Sequence, residues 1–342
     1  MSTLPAIHDQ TAALALLDLI QGSVITQAIH VAAKLGIADV LDSGPLAAEE
    51  VAKRVGADPE ATYRLLRTLS GYSVFAEQGD RRFALTPMAD ALRDNAPDSM
   101  RGIAMLMGHP MLWEDWGYLI SSVRSGEASM PVLRGMGAYD FLMANPEYAA
   151  AFFQGMGSIS GAETNPVLAA YDFSQFRKVV DVGGGRGTLL TGILKQAPGT
   201  EGVLYDAPYA TADAPPVLEA AGVAGRVTIE NGTYFDPLPA GADAYVLKHV
   251  LHDFTEPDCL AVLKNIRAAI APEGKLLVIE YVLNGNNERH IGNIIDLWLL
   301  VLLGAKERTL AQYSELFARA GLKVIRAVPT ISPVSIIEAI PA

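Results

Sequence analysis

The sequence predicts an α/β protein: a doubly wound parallel sheet in the second half of the chain, preceded by a mostly helical N-terminal region. Beyond residue 170, short apolar strand-like runs alternate with helix-like stretches, which is the pattern of a doubly wound sheet. Up to about residue 100 the order is helix, turn, helix and hairpin, as in a winged helix. The length of 342 residues fits about two domains.

In the N-terminal region, three helices and one hairpin are expected. An apolar stretch predicts the first helix, and Gly56 ends the second. The third begins at Asp58, an N-cap residue followed by proline at the first helical position and an acid in the first turn. A short hairpin follows, and the chain then stays helical to about residue 170. The helices are predicted over 11–33, 46–55 and 60–70, the hairpin over 74–76 and 82–85, and the long helical region over 100–170.

In the second half, five apolar runs rich in β-branched residues predict the strands of the sheet. The first of them leads into a cluster of glycines, and a helix over 188–196 follows. Helical stretches separate most of the later strands, which favours parallel pairing. The predicted strands are 178–182, 202–206, 226–230, 244–247 and 275–280.

The composition excludes several classes of protein. Half of the residues are apolar and 19% are charged, which excludes disorder. A mean hydropathy of +0.24 leaves apolar surface to bury, and a large subunit interface is one place for it. The net charge of −12 argues against nucleic acid as a partner.

The chain also lacks the sequence signals of membrane insertion and secretion. It has no run of 18 apolar residues free of charge, so no membrane span is predicted; residues 294–303 come nearest but carry Asp296. The first ten residues have no basic segment followed by an apolar one, so no signal peptide is predicted. Cys259 is the single cysteine, which excludes an intrachain disulfide and a cysteine zinc site and suits the cytoplasm.

A glycine-rich loop follows the first predicted strand. Asp181 stands just before Gly183, Gly185 and Gly187, and a helix begins directly after them. Glycines at this point allow a tight turn and close approach of a ligand to the main chain. Asp181 would repel a pyrophosphate but not a cationic ligand. Asp206, at the end of the second strand, is placed to accept both hydroxyls of a ribose. A nucleoside site is favoured over a plain turn.

A histidine follows the fourth strand at the sheet edge where ligands bind in open α/β sheets. It is His252, and two acids are candidates to lie beside it, Glu280 at the end of the fifth strand and Glu307. A carboxylate on one imidazole nitrogen fixes the tautomer and leaves the other nitrogen as a base. Taken alone, His252 is better explained as a structural hydrogen-bonding residue of a loop.

His249 and Asp253 next to His252 raise the question of a metal site. No further ligand stands in local register, so no metal is predicted. His249 is expected to face away from the pocket or to pack.

Together these residues resemble the cation-independent, S-adenosylmethionine-dependent O-methyltransferases of natural-product pathways. That family spans caffeate-type enzymes, hydroxyindole O-methyltransferases and bacterial enzymes that act on polyketides and aromatic antibiotics. The resemblance covers nearly the whole chain: the Asp-Val-Gly-Gly-Gly-x-Gly loop at 181–187, a Lys-x-x-x-His-Asp block at 248–253 and Lys-Glu-Arg-Thr at 306–309. It implies a Rossmann-like methyltransferase sheet and a homodimer. The implied domains are a winged-helix-like dimerisation domain (1–100), a helical connector contributing to the acceptor pocket (101–170) and a catalytic domain (171–342).

The resemblance also implies roles for individual residues. His252 would be the catalytic base, supported by Glu280 and Glu307, and the acceptor would be a hydroxyl of an aromatic small molecule. One position departs from the family pattern, because Thr233 stands where an aspartate usually holds the adenine amine. The implied cofactor-binding residues are Asp181, Gly183, Gly185, Gly187, Asp206, Thr233, Tyr234 and Lys248. The implied acceptor-binding residues are Trp113, Tyr148, Phe152, Met156, Asp296 and Trp298.

Two other functions fit parts of the sequence. A winged-helix transcription regulator would need a basic surface, whereas residues 1–100 hold 8 basic and 13 acidic side chains, a net charge of −5. A relative that binds the cofactor but no longer transfers methyl is the second alternative. An intact His252 with both glutamates argues against it.

Overall fold

The computed structural model describes residues 11–285 and 287–342, which divide into two compact units. The first unit contains the described residues up to Glu114 and Asn145–Ile159; the second contains Asp115–Ala144 and Ser160–Ala342. The helices are α1 (Ala12–Lys34), α2 (Ile37–Val40), α3 (Ala48–Val55), α4 (Pro59–Gly71), α5 (Pro87–Asp90), α6 (Arg101–Met107), α7 (Pro110–Gly117), α8 (Leu119–Ser125), α9 (Met130–Arg134), α10 (Ala138–Ala144), α11 (Pro146–Ala170), α12 (Thr188–Gln196), α13 (Pro208–Thr211), α14 (Ala214–Ala220), α15 (Glu256–Ala269), α16 (Ile291–Leu303) and α17 (Leu310–Arg319). The strands are β1 (Leu46–Ala47), β2 (Phe75–Glu77), β3 (Arg82–Leu85), β4 (Lys178–Val182), β5 (Glu201–Asp206), β6 (Val227–Asn231), β7 (Ala244–Lys248), β8 (Lys275–Glu280), β9 (Val282–Leu283), β10 (Arg308–Thr309), β11 (Leu322–Pro329) and β12 (Ser335–Pro341).

The first unit has the predicted winged-helix pattern with one extra strand. Helix α4 starts as expected, because the Asp58 carboxylate accepts the backbone N–H of Ala61 at 2.8 Å and Pro59 takes the first position. Strands β2 and β3 form the predicted hairpin. Leu46 and Ala47, predicted as the start of a helix, form β1 instead and pair with β3. The buried core of this unit joins these elements through Ile37, Val51, Leu66, Leu69, Phe75 and Phe83.

Helix α1 is apolar and its N-terminal half is exposed. Large apolar side chains of this half, among them Leu16, Leu19 and Ile20, are more than half exposed. By length and composition alone, α1 is apolar enough to cross a membrane. No membrane span was predicted here because α1 contains the charged residue Asp18. The absence of a membrane span therefore stays a prediction.

The second unit is built on a seven-stranded sheet with the order β11-β12-β8-β7-β4-β5-β6. The strands β4 to β8 are parallel, and each lies within one residue of its predicted bounds or matches them. The chain moves from β4 outward through β5 and β6, then crosses back to β7 and β8 on the other side. This reversal puts a crevice at the carboxyl ends of β4 and β7, where ligands bind in such sheets.

Helices cover both faces of this sheet. In β7, Tyr245 and Leu247 pack on one side with α15 and α17, while Val246 packs on the other side with α12. The alternation follows from the two-residue period of a strand. The sheet is thus buried on both faces, as the continuous apolar runs indicate.

Two parts of the chain were not foreseen in detail. The antiparallel pair β11 and β12 extends the sheet beyond β8 and had no predicted counterpart. The stretch predicted as helical over 100–170 is helical, but it is divided into six helices, α6 to α11. Pro110, Pro131 and Pro146 stand at starts of these helices, and Gly126 and Gly135 end two of them in left-handed conformations.

Candidate active site

The glycine loop turns the chain sharply from β4 into α12. Gly183, Gly185 and Gly187 have φ angles of 78°, 55° and 78°, a region that favours glycine. A Cβ atom at Gly183 would lie 2.7 Å from the Tyr234 hydroxyl, so that side chain packs directly over the loop. The three predicted glycines and Tyr234 therefore meet at the carboxyl end of β4.

Asp181 is fully enclosed under this loop. Its side chain is 2% exposed, and its Oδ2 atom has no hydrogen-bond partner among the described residues. Burial, and then the nearby charge of Asp206, raise the pKa of Asp181 to about 7. A buried carboxylate with a vacant lone pair suits a positively charged ligand group, which would restore its ionised form.

Asp206 ends β5 beside the same loop. Its two oxygens accept the backbone N–H groups of Gly185 at 2.8 Å and of Ala207 at 2.7 Å. Each oxygen keeps a further lone pair for a ligand hydroxyl. Burial raises the pKa of this carboxyl group, although the two backbone N–H groups oppose the rise. The structure thus brings the two predicted acids, Asp181 and Asp206, to one loop.

Thr233 and Lys248 are already engaged by other protein groups. The Thr233 hydroxyl donates to Asp236 Oδ2 at 2.9 Å. Lys248 Nζ lies 2.8 Å from Glu163 Oε2 and donates to the Ser160 hydroxyl at 3.0 Å. Contact between these two side chains and the cofactor stays a prediction.

His252 lies buried in a short 3₁₀ turn after β7. Its Nδ1 is 2.7 Å from Glu307 Oε1 and 3.3 Å from Glu280 Oε2. Its Nε2 is 3.5 Å from Asp253 Oδ1, too long for a good hydrogen bond. Both predicted glutamates therefore lie on one imidazole nitrogen, and the other nitrogen is left to accept a proton.

The carboxylates around His252 set its protonation. Burial lowers its pKa, but the charges of Glu280, Asp253 and Glu307 outweigh burial and raise the pKa to about 10. Tyr139 donates to Asp253 Oδ2 at 2.7 Å, which holds that carboxylate beside the ring. His252 is consequently a strong base in the protein without ligands.

Backbone groups and a small parallel pair hold the two glutamates in place. Glu280 Oε1 accepts the N–H groups of Val250 and Leu251, both at 3.0 Å. Directly after Glu280 the chain forms β9, which pairs with β10 directly after Glu307. Asp296 Oδ1 accepts the N–H of Glu307 at 2.8 Å. The half-buried Asp296 therefore has a hydrogen-bond partner, and that partner is the backbone of Glu307.

His249 packs, as expected, and its packing partner is His252. The two rings stack with centroids 5.1 Å apart and an interplanar angle of 24°. His249 Nε2 bonds Glu163 Oε2 at 2.7 Å, and its Nδ1 lies 3.6 Å from Glu280 Oε2. Tyr281 donates to the other oxygen of Glu163 at 2.8 Å.

One group in the described part of the chain has the spacing of metal ligands: His249, His252 and Glu280, with ligand atoms within 4.8 Å of one another. The Nδ1 atom of His252 in this group is already bonded to Glu307. The arrangement works as a hydrogen-bonded cluster without an ion, and the prediction of no metal is kept as a prediction.

Comparison with known proteins places the chain in a family. A family model described as the O-methyltransferase domain matches residues 116–323, and one described as the O-methyltransferase dimerisation domain matches residues 17–95. The chain is 38% identical over 326 residues to phenazine O-methyltransferase PhzM of Lysobacter antibioticus, covering 95% of each protein. The chain belongs to the O-methyltransferase family.

Solved structures agree with this assignment. The methyltransferase CalO1 of calicheamicin biosynthesis, in its S-adenosylhomocysteine-bound form, is 33% identical, with a TM-score of 0.88 over 99% of this chain and 100% of that one. The O-methyltransferase NcsB1 of neocarzinostatin biosynthesis, in complex with S-adenosylmethionine and 2-hydroxy-5-methyl naphthoic acid, is 34% identical, with a TM-score of 0.75 over 93% and 96%.

These matches confirm several expectations for this O-methyltransferase. The fold class, the family and S-adenosylmethionine as cofactor are confirmed. The match to the dimerisation domain supports the expected homodimer, and this domain includes most of α1. The boundaries predicted for the three domains stay predictions.

The predicted acceptor-binding residues of this O-methyltransferase lie in both units. Asp296 and Trp298 are on α16 in the second unit, where Trp298 is buried. In the first unit, Trp113 donates to the Met107 carbonyl at 2.7 Å, and Tyr148 packs against His109 with ring centroids 4.9 Å apart. Phe152 and Met156 lie on α11 in the same unit. Their roles toward an acceptor stay predictions.

Sequence reasoning missed two residues that hold the cluster around His252 of this O-methyltransferase in place. Glu163 is an isolated acid within the apolar helix α11, the same signal that singled out Asp296. Arg308, 2% exposed, donates to the carbonyls of Leu251 at 3.1 Å and Phe254 at 3.3 Å, on both sides of His252. It stands next to Glu307 in the Lys-Glu-Arg-Thr motif, so one segment supplies both the acid for His252 and the cation for its loop.

Proposed function

We propose that this O-methyltransferase transfers a methyl group from S-adenosylmethionine to a hydroxyl of an aromatic small molecule, with His252 as the general base. The observation that carries the proposal is the orientation of His252. Glu307 occupies Nδ1 at 2.7 Å, so Nε2 is the nitrogen left to take a proton. Relatives named for a phenazine and solved with a naphthoic acid support an aromatic acceptor.

Asp181, Asp206 and the glycine loop are the groups proposed to hold the cofactor. The buried oxygen of Asp181 suits the cationic part of S-adenosylmethionine, and the remaining lone pairs of Asp206 suit its ribose hydroxyls. When bound, S-adenosylmethionine supplies a methyl group made electrophilic by its sulfonium. Glycines rather than larger residues leave room for close approach to the main chain.

His252 provides the proton acceptor that the reaction needs. A phenol with a pKa of about 10 is a weak nucleophile at neutral pH. His252 Nε2 takes the hydroxyl proton as the new carbon–oxygen bond forms, and Glu307 and Glu280 stabilise the imidazolium that results. In the protein without ligands the pKa of His252 is raised to about 10, close to that of the phenol, so the two groups have similar proton affinities.

The same raised pKa predicts how the rate depends on pH. A histidine with a pKa of about 10 is mostly protonated at pH 7, so the fraction able to act as a base grows as the pH rises. We expect kcat/KM, which reports groups of the free enzyme, to increase from pH 7 toward pH 10. The positive charge of bound S-adenosylmethionine should lower the pKa of His252. The pH at which kcat rises should therefore be lower than the pH at which kcat/KM rises. A rise near pH 6.5 in both profiles would contradict this.

The proposal is tested by incubating the protein with S-adenosylmethionine and a panel of phenols, hydroxynaphthoic acids and anilines, followed by mass spectrometry. We expect a product heavier by one methylene for hydroxyl acceptors, and none with the His252→Ala variant. Products from the anilines alone would make this an N-methyltransferase. A shifted DNA band at low salt, with no methyl transfer to any acceptor, would favour the regulator.

A further inference from the structure

Beside His252, Glu280 and Glu307 lies a second histidine–carboxylate pair, Glu163 and His249. Glu163 is 4% exposed and comes from the middle of α11. Its Oε2 atom contacts both Lys248 Nζ at 2.8 Å and His249 Nε2 at 2.7 Å, and its Oε1 atom accepts from Tyr281 at 2.8 Å. A buried carboxylate with three such partners has a fixed position.

The φ angle of His249 is 54°, in the left-handed region that is uncommon for residues other than glycine. Its backbone N–H donates to the Ile279 carbonyl at 3.1 Å. Such conformations persist only where the surroundings enforce them, and they cluster at functional sites.

The stacked rings share one carboxylate oxygen. Glu280 Oε2 lies 3.3 Å from His252 Nδ1 and 3.6 Å from His249 Nδ1. Both this oxygen and His249 Nδ1 are buried and have no conventional hydrogen-bond partner among the described residues. This oxygen of Glu280 therefore faces both imidazole rings, and its negative charge acts on both Nδ1 atoms.

We infer that His249, fixed by Glu163, is a positioning residue for methyl transfer that acts through His252. As an imidazolium between Glu163 and Glu280, it shares Glu280 with His252 and places a positive charge against the ring of His252. That charge opposes protonation of His252 and keeps part of it in the basic form. The inference rests on the proposed function, because it assumes that His252 is the base.

The other charged groups around the two rings are consistent with this role. Burial lowers the pKa of His249, but Glu163 and Glu280 outweigh burial and raise it, which favours the protonated form of His249. Lys248 faces Glu163 and opposes this rise. On the His252 side, Glu307, Asp253 and Glu280 all favour its protonated form.

Further groups complete the surroundings. Tyr139 bonds Asp253, Tyr281 bonds Glu163, and the Arg308 guanidinium lies on the Leu251 carbonyl. Of the cations that face the His252 ring itself, His249 is the one that stacks on it.

A double-mutant cycle tests the inference. His249→Asn removes the charge, and asparagine tolerates the left-handed backbone. We expect kcat with a phenol of pKa about 10 to fall about tenfold or more, since one unit charge about 5 Å away shifts a pKa by at least one unit. In the His252→Ala background the same substitution should change kcat by less than about twofold, because residues that act through one another are not additive.

Two carboxylate-to-amide variants serve as a matched pair. Glu163→Gln should lower kcat in the same direction as His249→Asn but by less, since it also removes a negative charge. Glu338 is equally buried, at 4% exposed, and is paired with Lys275 and Arg326 near the amino end of β8. Glu338→Gln should lower stability without lowering kcat of the folded fraction.

The outcomes separate the two proposals. If His252→Ala keeps its turnover, the proposed base is wrong and the inference fails with it. If His252→Ala loses turnover but His249→Asn does not, or costs the same in both backgrounds, His249 is only structural and the proposed function stands. A loss from His249→Asn that shrinks as the pH is raised supports the inference.

Discussion

The glycine loop and the histidine cluster lie at the same edge of one sheet but are assembled differently. In the loop, the groups come from one stretch of chain, and Gly185 bonds Asp206 only 21 residues later. In the cluster, His252 bonds Glu307, 55 residues away, and His249 bonds Glu163, 86 residues away. The glycine loop is formed by residues close together in the sequence, whereas the histidine cluster forms only when distant segments meet in the folded protein.

The difference teaches where each kind of function can be altered. The loop depends on backbone conformation, so its glycines tolerate few substitutions. The cluster depends on charge balance among buried groups, so its members are coupled. We therefore expect single changes in the loop to affect cofactor affinity and single changes in the cluster to affect turnover.

The largest expected effect is at His252. His252→Ala removes the proton acceptor and should lower kcat by about 10² to 10⁴-fold, the usual range for a positioned general base. Calorimetry with S-adenosylmethionine should give unchanged affinity, since the loop is intact. A variant that loses cofactor affinity and turnover together would erase the distinction between the two regions.

The next effect is at Asp206. Asp206→Ala removes the proposed ribose acceptor and leaves hydrogen-bonding groups of the cofactor unpaired, which should weaken binding by about 1–3 kcal/mol. The measurement is titration calorimetry on folded protein. At saturating cofactor, turnover should recover to near the wild-type value, and a permanent loss of kcat would place Asp206 in the chemistry.

The two supporting glutamates come third. Glu307→Gln and Glu280→Gln should each lower kcat by about tenfold, because they orient His252 and stabilise its cation without taking the proton. The double variant should lose much less than the product of the two single losses, since the three side chains act as one unit. Steady-state kinetics of the four proteins would show multiplicative losses if the glutamates worked independently.

The smallest effect expected is on stability, at Asp181. Its pKa is about 7, above its ordinary value of 3.8, so the folded state binds this proton more tightly than the unfolded state. The stability that it contributes is present at low pH and is lost as the pH rises through 7. Asp181→Asn should therefore raise the Tm of the cofactor-free protein by a few degrees at pH 8.

The same comparison supplies its own control. The gain in Tm from Asp181→Asn should shrink as the pH falls toward 3.8, the ordinary pKa of this carboxyl group, because the protonated form then becomes common in the unfolded protein as well. The variant should also bind S-adenosylmethionine more weakly. A Tm gain of equal size at all pH values would mean that the buried charge is not its cause.

The same contrast explains what could be predicted from the sequence. The strands β4 to β8 and helix α12 were predictable because each is a short apolar run bounded by turn residues. The loop and its two acids could be found in the same way. Glu280 and Glu307 could be named only as candidates to lie beside His252, since no local pattern connects residues so far apart, and the family resemblance gave the three residues their roles.

What could not be predicted depends on tertiary packing. Strand β11 lies at the edge of the sheet and mixes polar and apolar residues without a regular alternation, a weak signal compared with the buried strands. Glu163 sits in a helix whose sequence gives no sign of what it will face. The position of His249 depends on a left-handed backbone conformation, which is uncommon for any residue other than glycine.

The most direct test of the central claim is how the effect of His252→Ala depends on the acidity of the acceptor. Two phenols of the same framework should be compared, one with a pKa of about 10 and one that ionises near neutral pH. If His252 is the base, the loss in kcat is large for the first phenol and small for the second, which needs no proton acceptor. An equal loss with both phenols would contradict the account and leave His252 as a structural residue of its loop.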